Sequence, residues 1–442
     1  MKRYDSYKES GVQWIGEIPS HWTSIPIKFS TDGKQSSFID GDWIESNVIE
    51  SEGIRYLTTG NVGAGFYKEQ GSGFISEKTF DELNCTEVYP GDLLISRLNE
   101  PIGRTCIVPD LGYRIVVAVD NVIYRPNKQL YDERYLMFQM NCKPYADNAN
   151  FIARGSTMSR ISRTTLGQIK VLVPPLEEQK AIAEWLDVKC GEIDKLIATQ
   201  QRRIELLHEL RQSIITRAVT RGINPDAPLR DSGIDWIGQI PAHWNDLRLR
   251  FVCELRNGYT PSKANPDFWD NGVIPWYRME DIRESGRKLN AAKQYITEEA
   301  VKGGGLFEAG SFILATTATI GEHALLIVDS LANQRFTNLK IRKSLNEALC
   351  QDYFFYYLFV IDEYCKTTTR TATFPAVNME DLKNFHVVFP PYSEQREIVT
   401  YIERETAKVD HALQQAERQI ELLQELRQSV ITEVVTGKRK VC

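Results

Sequence analysis

The sequence lacks the features of a membrane or secreted protein. No apolar run approaches the roughly 20 residues that a transmembrane helix requires. The first ten residues, MKRYDSYKES, have no apolar core of a signal peptide. The eight cysteines are scattered, with no Cys-x-x-Cys pair, which is typical of a reduced protein with incidental thiols. These absences predict a cytoplasmic protein.

Motifs for catalysis and for cofactors are missing as well. The sequence contains neither G-x-x-x-x-G-K-[ST] nor H-E-x-x-H. GNVGAG (Gly60–Gly65) does not match G-x-G-x-x-G, so we predict a plain loop. NPDFW (Asn265–Trp269) is similar to the Asn/Asp-Pro-Pro-Tyr/Phe motif of amino-group DNA methyltransferases, but Asp267 replaces the second proline. The histidines form no metal pattern, and we predict a structural role for His21 and His243. The sequence therefore predicts no catalytic residue, no metal site and no bound cofactor.

The sequence contains an internal repeat, in which a domain followed by a long helix occurs twice. RRIELLHELRQSIITRAVT (Arg202–Thr220) returns as RQIELLQELRQSVITEVVT (Arg418–Thr436), and 13 of the 17 positions from Ile204 onward are identical. SGVQWIGEIPSHW (Ser10–Trp22) returns as SGIDWIGQIPAHW (Ser232–Trp244). A Pro-Pro-x-x-Glu-Gln sequence precedes each long repeat. The segments between these fixed motifs differ, and this difference is the best indication of function.

The repeats divide the chain into a first domain (residues 1–173), a long helix (174–221), a second domain (222–389) and a second long helix with a tail (390–442). Short β-branched runs between turn residues predict mixed α/β domains, with a turn and then one strand in each of 89–97 and 114–126, a strand at 168–175 and a short helix at 133–142. A helix of about 47 residues spans roughly 70 Å, which a compact domain of about 160 residues cannot bridge. The predicted fold class is therefore α+β: two similar mixed α/β domains at opposite ends of an antiparallel, coiled-coil-like pair of long helices, related by a pseudo-two-fold axis.

Apolar residues at seven-residue spacing predict the surface through which the two helices pack. This predicted seam consists of Ile193, Ile197, Ile204, Leu207, Ile214, Val409, Leu413, Ile420, Leu423 and Val430. Further leucines make each apolar stripe wider than a two-helix contact needs. We predict that these outer leucines dock a partner subunit: Leu206, Leu210, Leu422 and Leu426.

The net charge of −6 does not exclude a nucleic-acid partner, because DNA binding depends on the local field. Segment 174–220 has seven basic and eight acidic residues, and segment 390–436 has five and nine, so the two carry −1 and −4 of the total. Polar, basic loops recur at matching places of the two domains. Arginine and lysine neutralise phosphates, and arginine, asparagine and threonine also reach base edges. The predicted DNA-binding residues are Arg97, Asn99, Arg104, Arg154, Ser156, Thr157, Arg160, Arg163, Arg278, Thr316, Thr317, Thr319, Lys366, Thr369, Arg370, Thr371 and Thr373.

These motifs, together with NGYTPSKANPDFWDNGVIPW (Asn257–Trp276), PPLEEQKAIAEWLD and PPYSEQREIVTYIE, resemble the specificity subunit of type I restriction–modification systems over essentially the whole chain. The resemblance implies two target recognition domains, each of which reads one half of a bipartite double-stranded DNA target. It implies two helices that set the spacing and dock two modification (methyltransferase) subunits, which restriction (motor–nuclease) subunits join. The protein would be prokaryotic, cytoplasmic and non-catalytic, with S-adenosylmethionine, ATP and Mg²⁺ bound by the partner subunits. Recognition domains diverge within the family, so the list of DNA-binding residues rests on the loop argument alone.

Two other classes of protein are left open. A single-chain restriction–methyltransferase enzyme carries similar recognition domains, but it needs a methyltransferase domain with a cofactor loop, and the first recognition domain here starts at residue 4. A coiled-coil scaffold that does not act on DNA would show no preference for duplex DNA even with its partners. The neighbouring genes would discriminate best among these classes.

Lengthening the first long helix tests whether the helices act as a spacer. Four residues inserted after Ala198 add about 6 Å, or one helical turn. Because DNA rises about 3.4 Å per base pair, the gap between the half-sites is expected to grow by one or two base pairs. The methylated sequence can be read from the genome of cells that express the variant with its partners. An unchanged gap at full activity would show that the helices do not set the spacing.

Overall fold

The repeat in the sequence is also a repeat in three dimensions. The computed structural model describes residues 3–12, 14–71, 73–153, 159–234, 237–368 and 376–441. The chain forms two units, of which the first contains residues 1–201 and 418–442 and the second contains residues 202–417. Each unit therefore holds one domain and one segment of each long helix. No helix of the described residues is both long and apolar enough to span a bilayer.

The first domain is built from short strands and short helices. Its strands are β1 (Tyr7–Glu9), β2 (Glu17–Pro19), β3 (Thr23–Pro26), β4 (Phe38–Asp40), β5 (Ile54–Leu57), β6 (Phe74–Ile75), β7 (Leu93–Ser96), β8 (Thr105–Ile107), β9 (Ile115–Val117), β10 (Asn121–Tyr124) and β11 (Lys170–Val173). Its helices are α1 (Glu77–Glu82), α2 (Glu133–Met140), α3 (Lys143–Ile152) and α4 (Arg163–Leu166), and the long helix α5 (Leu176–Arg221) follows.

The second domain repeats this order. Its strands are β12 (Leu229–Asp231), β13 (Gln239–Pro241), β14 (Asn245–Arg248), β15 (Cys253–Asn257), β16 (Ile274–Tyr277), β17 (Lys288–Leu289), β18 (Tyr295–Ile296), β19 (Phe312–Ala315), β20 (His323–Leu326), β21 (Leu331–Ala332), β22 (Phe336–Ile341) and β23 (His386–Phe389). Its helices are α6 (Leu249–Val252), α7 (Met279–Glu284), α8 (Gln351–Thr368) and α9 (Met379–Asn384), and the long helix α10 (Tyr392–Val435) follows.

The sheets of the two domains have the same topology. Antiparallel strands in the order β4-β10-β7-β8 correspond to β15-β22-β19-β20, to which β17 is added at the edge. Strand β5 lies between β6, which is antiparallel, and β9, which is parallel, and β16 lies between β18 and β21 in the same way. The ladders β3·β11 and β14·β23 join the beginning of each domain to its end. The predicted α+β class with two similar domains is confirmed.

Within each unit, the segments of α5 and α10 run antiparallel. In the first unit, Arg427 Nε lies 3.0 Å from Asp194 Oδ1, and the Arg439 guanidinium lies over the Trp185 ring at 5.1 Å. Going from Arg427 on α10 to Arg439 in the tail that follows it, the partner on α5 moves back from Asp194 to Trp185. The second unit contains a contact equivalent to that of Arg427 with Asp194. At the repeat offset of 216 residues, Arg211 matches Arg427, and Asp410 matches Asp194. Arg211 Nε and Asp410 Oδ1 are 3.1 Å apart.

Burial along the long helices follows the predicted pattern. In the predicted seam, Ile193, Val409, Leu413 and Val430 are buried, and the other six residues are half-buried. The outer leucines remain 41–49% exposed: Leu206, Leu210, Leu422 and Leu426. The pairing of the seam residues and the docking of a partner stay predictions.

The segment 114–126, which the sequence predicts to be one strand, forms two. Strands β9 and β10 belong to different sheets, and the Asn121 N–H donates to the Ala118 carbonyl (2.9 Å) in the turn between them. Both strands are buried, and only Asp120 and Asn121 separate their apolar residues, so the sequence gives little sign of the turn. Helix α8 is continuous over Gln351–Thr368, whereas its counterpart in the first domain is interrupted between α2 and α3, just before Pro144.

The Ser-His-Trp and Pro-Pro-x-x-Glu-Gln motifs meet at the start of α5. Glu178 Oε1 accepts hydrogen bonds from Trp22 Nε1 (3.2 Å) and the Tyr4 hydroxyl (2.7 Å), and its Oε2 lies 2.8 Å from His21 Nε2. The neighbouring Gln179 accepts from the Asp132 N–H (3.0 Å) at the start of α2. The carboxylate thus ties the beginning of the domain to the helix that leaves it.

The same contacts recur at α10. Glu394 Oε1 accepts from Trp244 Nε1 (3.1 Å), and its Oε2 lies 2.7 Å from His243 Nε2. Gln395 accepts from the Cys350 N–H (2.7 Å) just before α8. These contacts fit the structural role predicted for the two histidines. We call the Glu178 and Glu394 contacts the carboxylate clamps.

Each clamp also receives the end of the other long helix. A Cβ on Gly222 would lie 3.2 Å from the Trp244 ring, and one on Gly437 would lie 3.3 Å from the Trp22 ring and 2.3 Å from Pro19. Both glycines have positive φ, at 75° and 73°, which L-residues with a side chain rarely adopt. The repeated tryptophans therefore mark where one helix begins and the other ends within a unit.

Removal of a clamp carboxylate should destabilise the unit that contains it. Glu178→Ala leaves the buried Trp22 N–H without this acceptor, at a cost of about 1–3 kcal/mol, and also removes the hydrogen bond from the Tyr4 hydroxyl. Glu394→Ala should cost less, because Glu394 has no partner equivalent to Tyr4 among the described residues. Glu397→Ala, at an exposed position of α10, is the matched control. Urea denaturation followed by tryptophan fluorescence should rank the three variants in that order, and equal midpoints would contradict the clamp.

Candidate nucleic-acid interface

Two polar loops of the first domain, predicted separately from the sequence, lie side by side. Leu98 forms an isolated antiparallel bridge with Arg160. The Asn99 N–H donates to the Ser159 carbonyl (3.2 Å), and the Ile161 N–H donates to the Arg97 carbonyl (3.0 Å). The loop between β7 and β8 is therefore fastened to the segment before α4.

The second domain fastens the equivalent loops in the same way. Thr317 bridges antiparallel to Ala376, and the Val377 N–H donates to the Thr316 carbonyl (2.9 Å). The sequences differ almost completely, yet the backbone pairing is the same. The two domains thus present a common loop framework with different side chains.

A third segment completes this framework. The Arg97 N–H donates to the Asp120 carbonyl (2.9 Å), and the Thr316 N–H donates to the Arg335 carbonyl (2.9 Å). Asp120 lies in the turn between β9 and β10, and Arg335 lies in the turn between β21 and β22. Asp120 and Arg335 therefore occupy equivalent positions with opposite charge.

Glycine allows a further close approach at the same place. Gly41 follows β4 and Gly258 follows β15, and the Gly41 N–H donates to the Asn121 carbonyl (2.9 Å). A Cβ would lie 2.3 Å from the Val117 carbonyl oxygen at Gly41 and 2.3 Å from that of Ala332 at Gly258. A side chain cannot fit at either position, so both domains need glycine there.

The β7–β8 and β19–β20 loops share a left-handed residue at the tip. Asn99 has φ 60° and Ala318 has φ 65°, and both are exposed. Asparagine tolerates this conformation, whereas alanine is strained by about 1–2 kcal/mol. The framework therefore holds Ala318 in an unfavourable backbone conformation.

Arg97 lies behind the interface rather than on it. The residue is 5% exposed, its Nε lies 3.2 Å from Asp40 Oδ1, and its Nη1 donates to the Ile161 carbonyl (3.3 Å). Burial lowers the pKa of Arg97, and the nearby Asp40 charge opposes that shift. Arg160 and Arg163 are at the surface of the same network, with Arg160 Nη2 2.7 Å from Asp120 and Arg163 Nε 3.5 Å from Asp40.

Arg104 supports the loop from the inside. Its guanidinium donates to the carbonyls of Val62 (2.8 Å), Leu98 (3.0 Å), Asn99 (2.9 Å) and Thr59 (2.9 Å). Burial lowers the pKa of Arg104. The side chain therefore holds the loop tip against the GNVGAG segment, which was predicted to be a plain loop but begins within a short 3-10 helix, Thr59–Asn61.

In the second domain, a polar groove of about 670 Å³ contains two of the predicted residues, Arg278 and Thr319. Thr317 is half-buried, whereas Thr316 is buried and its hydroxyl lies 3.1 Å from the Thr337 hydroxyl. Lys366 is exposed near the end of α8. The groove brings together residues from the segments after β15, β16, β19 and β21, and the remaining lining residues are Thr260, Lys263, Trp276, Met279, Glu280, Arg283, Glu284, Asn333, Gln334 and Arg335.

Seven of the predicted DNA-binding residues lie outside the described residues: Arg154, Ser156, Thr157, Thr369, Arg370, Thr371 and Thr373. Conversely, Arg335 and its neighbours Asn333 and Gln334 line the groove but were not among the predicted residues. A signal for them would have been the alignment of AVDN (118–121) with NQRF (333–336), which requires the unexpected turn in segment 114–126.

The described residues contain no group of side chains suited to hold a metal ion. Burial raises the pKa of Cys106, Cys142 and Cys365 to about 12, so these thiols are not poised as nucleophiles. NPDFW forms a turn in which Asn265 Oδ1 accepts from the Asp267 N–H (3.2 Å).

One buried charged cluster lies at the base of the β19–β20 loop. His323 Nδ1 is 2.7 Å from Asp362 Oδ2, and Arg287 Nη1 is 2.9 Å from the same oxygen. Burial lowers the pKa of His323. Burial alone would raise the pKa of Asp362, but His323 and Arg287 outweigh it and lower that pKa. The cluster joins the loop to α8, which is a structural role.

Comparison with known proteins decides the family. A model of the type I restriction modification DNA specificity domain matches residues 37–207 and 241–422. The chain belongs to this DNA specificity family. Its members are the non-catalytic DNA-recognition subunits of type I restriction–modification systems. The two matches fall on the two domains and extend into the long helices, as the internal repeat requires.

Individual relatives agree with this assignment. The EcoprrI specificity subunit of Escherichia coli is 47% identical over 151 residues, which is 34% of this chain and 37% of that relative. The putative MjaX specificity subunit of Methanocaldococcus jannaschii is 23% identical over 374 residues, or 84% of this chain and 83% of that relative. A solved structure from a study of complex assembly and conformational transition in a type I R-M system has a TM-score of 0.66 at 15% identity and covers 95% of this chain and 98% of its own. That similarity shows the shared fold.

Glycine at the strained loop tip should stabilise the second domain. Ala318→Gly removes the left-handed strain, but glycine loses more backbone entropy on folding, about 0.5–1 kcal/mol. We expect a net gain of up to about 1 kcal/mol. Asn99→Gly, at the equivalent tip, is the matched control and should bring no gain, because asparagine already tolerates positive φ. Thermal melting checks both variants, and a loss of stability in Ala318→Gly would contradict the strain.

Proposed function

We propose that this specificity-family chain reads a bipartite DNA sequence, one half with each domain. The observation that carries the proposal is the common loop framework with different side chains at equivalent positions. Asp120 corresponds to Arg335, and Asn99 corresponds to Ala318. Two domains that recognise different half-sites need the same backbone framework but different side chains in contact with the DNA.

The surface chemistry of the framework is suited to a duplex. Arg160 and Arg163 in the first domain, and Arg278 and Arg335 in the second, reach the surface at or beside the loops. Such groups can contact phosphates and base edges, while the acidic long helices lie in other segments of the chain. We propose the segments around Arg154 and Arg370, which lie outside the described residues, as further contacts on the sequence argument.

We further propose that the outer leucines dock two modification subunits, which restriction subunits join. The motivation is the exposure of Leu206, Leu210, Leu422 and Leu426 on helices whose seam residues are buried or half-buried. Four large aliphatic side chains at equivalent places of a repeat form two equivalent apolar patches. Two copies of one partner would cover them.

Exchange of one domain tests the division of labour. When residues 30–170 are replaced by the matching segment of a relative, one half of the methylated sequence should change and the other should stay. Residues 30 and 170 both lie between the repeated motifs, after Trp22 and before Pro174, so the exchange leaves the residues of both clamps unchanged. Methylome sequencing of cells that express the hybrid with the modification subunit gives the answer. If both halves change, the domains do not read independently.

A further inference from the structure

We propose that Arg335 determines specificity in the second domain and selects a guanine in its half-site. This inference rests on the proposed function, since it names the chemistry of one contact within it. Four features of the described residues support it: a fixed backbone, an uncommitted guanidinium, hydrogen-bonding neighbours and an equivalent position of opposite charge.

The backbone of Arg335 is fixed on both sides. Its N–H donates to Asn333 Oδ1 (2.9 Å), which forms an Asx turn, and its carbonyl accepts from the Thr316 N–H (2.9 Å). Strand β22 begins at the next residue. Because its backbone is already ordered, Arg335 loses little backbone entropy when it binds a ligand. This favours a contact with one defined group over a nonspecific electrostatic attraction.

The guanidinium of Arg335 is available for a ligand. The residue is exposed at the edge of the groove, and no described residue forms an ion pair or a hydrogen bond with its side chain. The other groove arginines are committed: Arg278 is paired with Glu280, and Arg283 Nη2 lies 3.3 Å from Glu322. Among the described residues, therefore, nothing occupies the five donors of its planar fork.

The neighbours of Arg335 resemble a base-reading site more than a phosphate site. Gln334 is exposed beside it, with its Oε1 accepting from the Thr260 hydroxyl (2.5 Å), and Thr319 lies on the same groove. Uncharged donors and acceptors are suited to base edges in the major groove. There, guanine offers two acceptors, O6 and N7, that match the arginine fork.

The first domain uses the equivalent position differently. Asp120 is an acceptor, and its carboxylate is 2.7 Å from Arg160 Nη2. A position that only supported the fold would not need opposite charges on the same backbone. Reversal of charge at 120 and 335 is expected if this position contributes to what each domain reads.

The test compares full-length chains, each copurified with the modification subunit, for binding to a randomised duplex library that is then sequenced. Arg335→Ala should lose the preference for guanine at one position of one half-site and bind the wild-type site about 5- to 150-fold more weakly. Arg335→Gln should shift the preference at that position toward adenine, which glutamine recognises. Arg342→Ala is the matched control, because Arg342 flanks the opposite end of β22 and lies outside the groove.

Arg335→Lys separates base reading from phosphate contact even if the alanine variant folds poorly. Lysine keeps the charge but lacks the fork, so a base reader should lose its selectivity, whereas a phosphate contact should survive. Uniform weakening across all sequences, with a smaller salt dependence for Arg335→Ala, would overturn the inference in favour of phosphate contact. An unchanged preference would overturn it as well. If the wild-type complex itself selects no sequence, the proposed function fails instead.

Discussion

The carboxylate clamps are the contacts on which each domain depends. The indole N–H groups of Trp22 and Trp244 are buried and need acceptors, and the first turn of a helix is where a carboxylate is most stabilised by the helix dipole. Glu178 and Glu394 meet both requirements. Because Gly437 and Gly222 pack on the same tryptophans, one small cluster fixes where a domain begins, where its own helix starts and where the other helix ends. This explains why short motifs so far apart in sequence recur together.

With the ends fixed, the interior of each domain can vary as long as the backbone contacts survive. Gly41 and Gly258 permit a close approach that no other residue allows, and the paired loops are joined mainly through main-chain groups. Main-chain hydrogen bonds are independent of side-chain identity. The loop tips can therefore change chemistry without loss of the framework, which is the property that a family of DNA readers requires.

Periodic features were predictable from the sequence, and non-local ones were not. The long amphipathic helices and the buried strands repeat in one dimension, so their bounds agree closely with α5, α10, β7 and β11. The pairing of residue 98 with residue 160 has no local signal. For the same reason Arg97 could be recognised as a basic loop residue, but its burial against Asp40 could not. Arg335 was missed because its equivalence to Asp120 depends on the turn between β9 and β10, which the sequence of segment 114–126 did not reveal.

The two domains stabilise the same loop by different means, and this decides which side chains remain for recognition. In the first domain, the ion pairs of Arg97 with Asp40 and Asp120 anchor it, which commits the Asp120 carboxylate to the protein. In the second, Thr316 and Asn257 occupy the positions of Arg97 and Asp40, and the hydroxyl of Thr337 links them by contacting Thr316 (3.1 Å) and donating to Asn257 (3.0 Å). Neutral hydrogen bonds need no residue of opposite charge. The position equivalent to Asp120 can therefore be an arginine that is not required for an internal ion pair. The choice of anchor inside the domain thus sets the charge that is presented outside it.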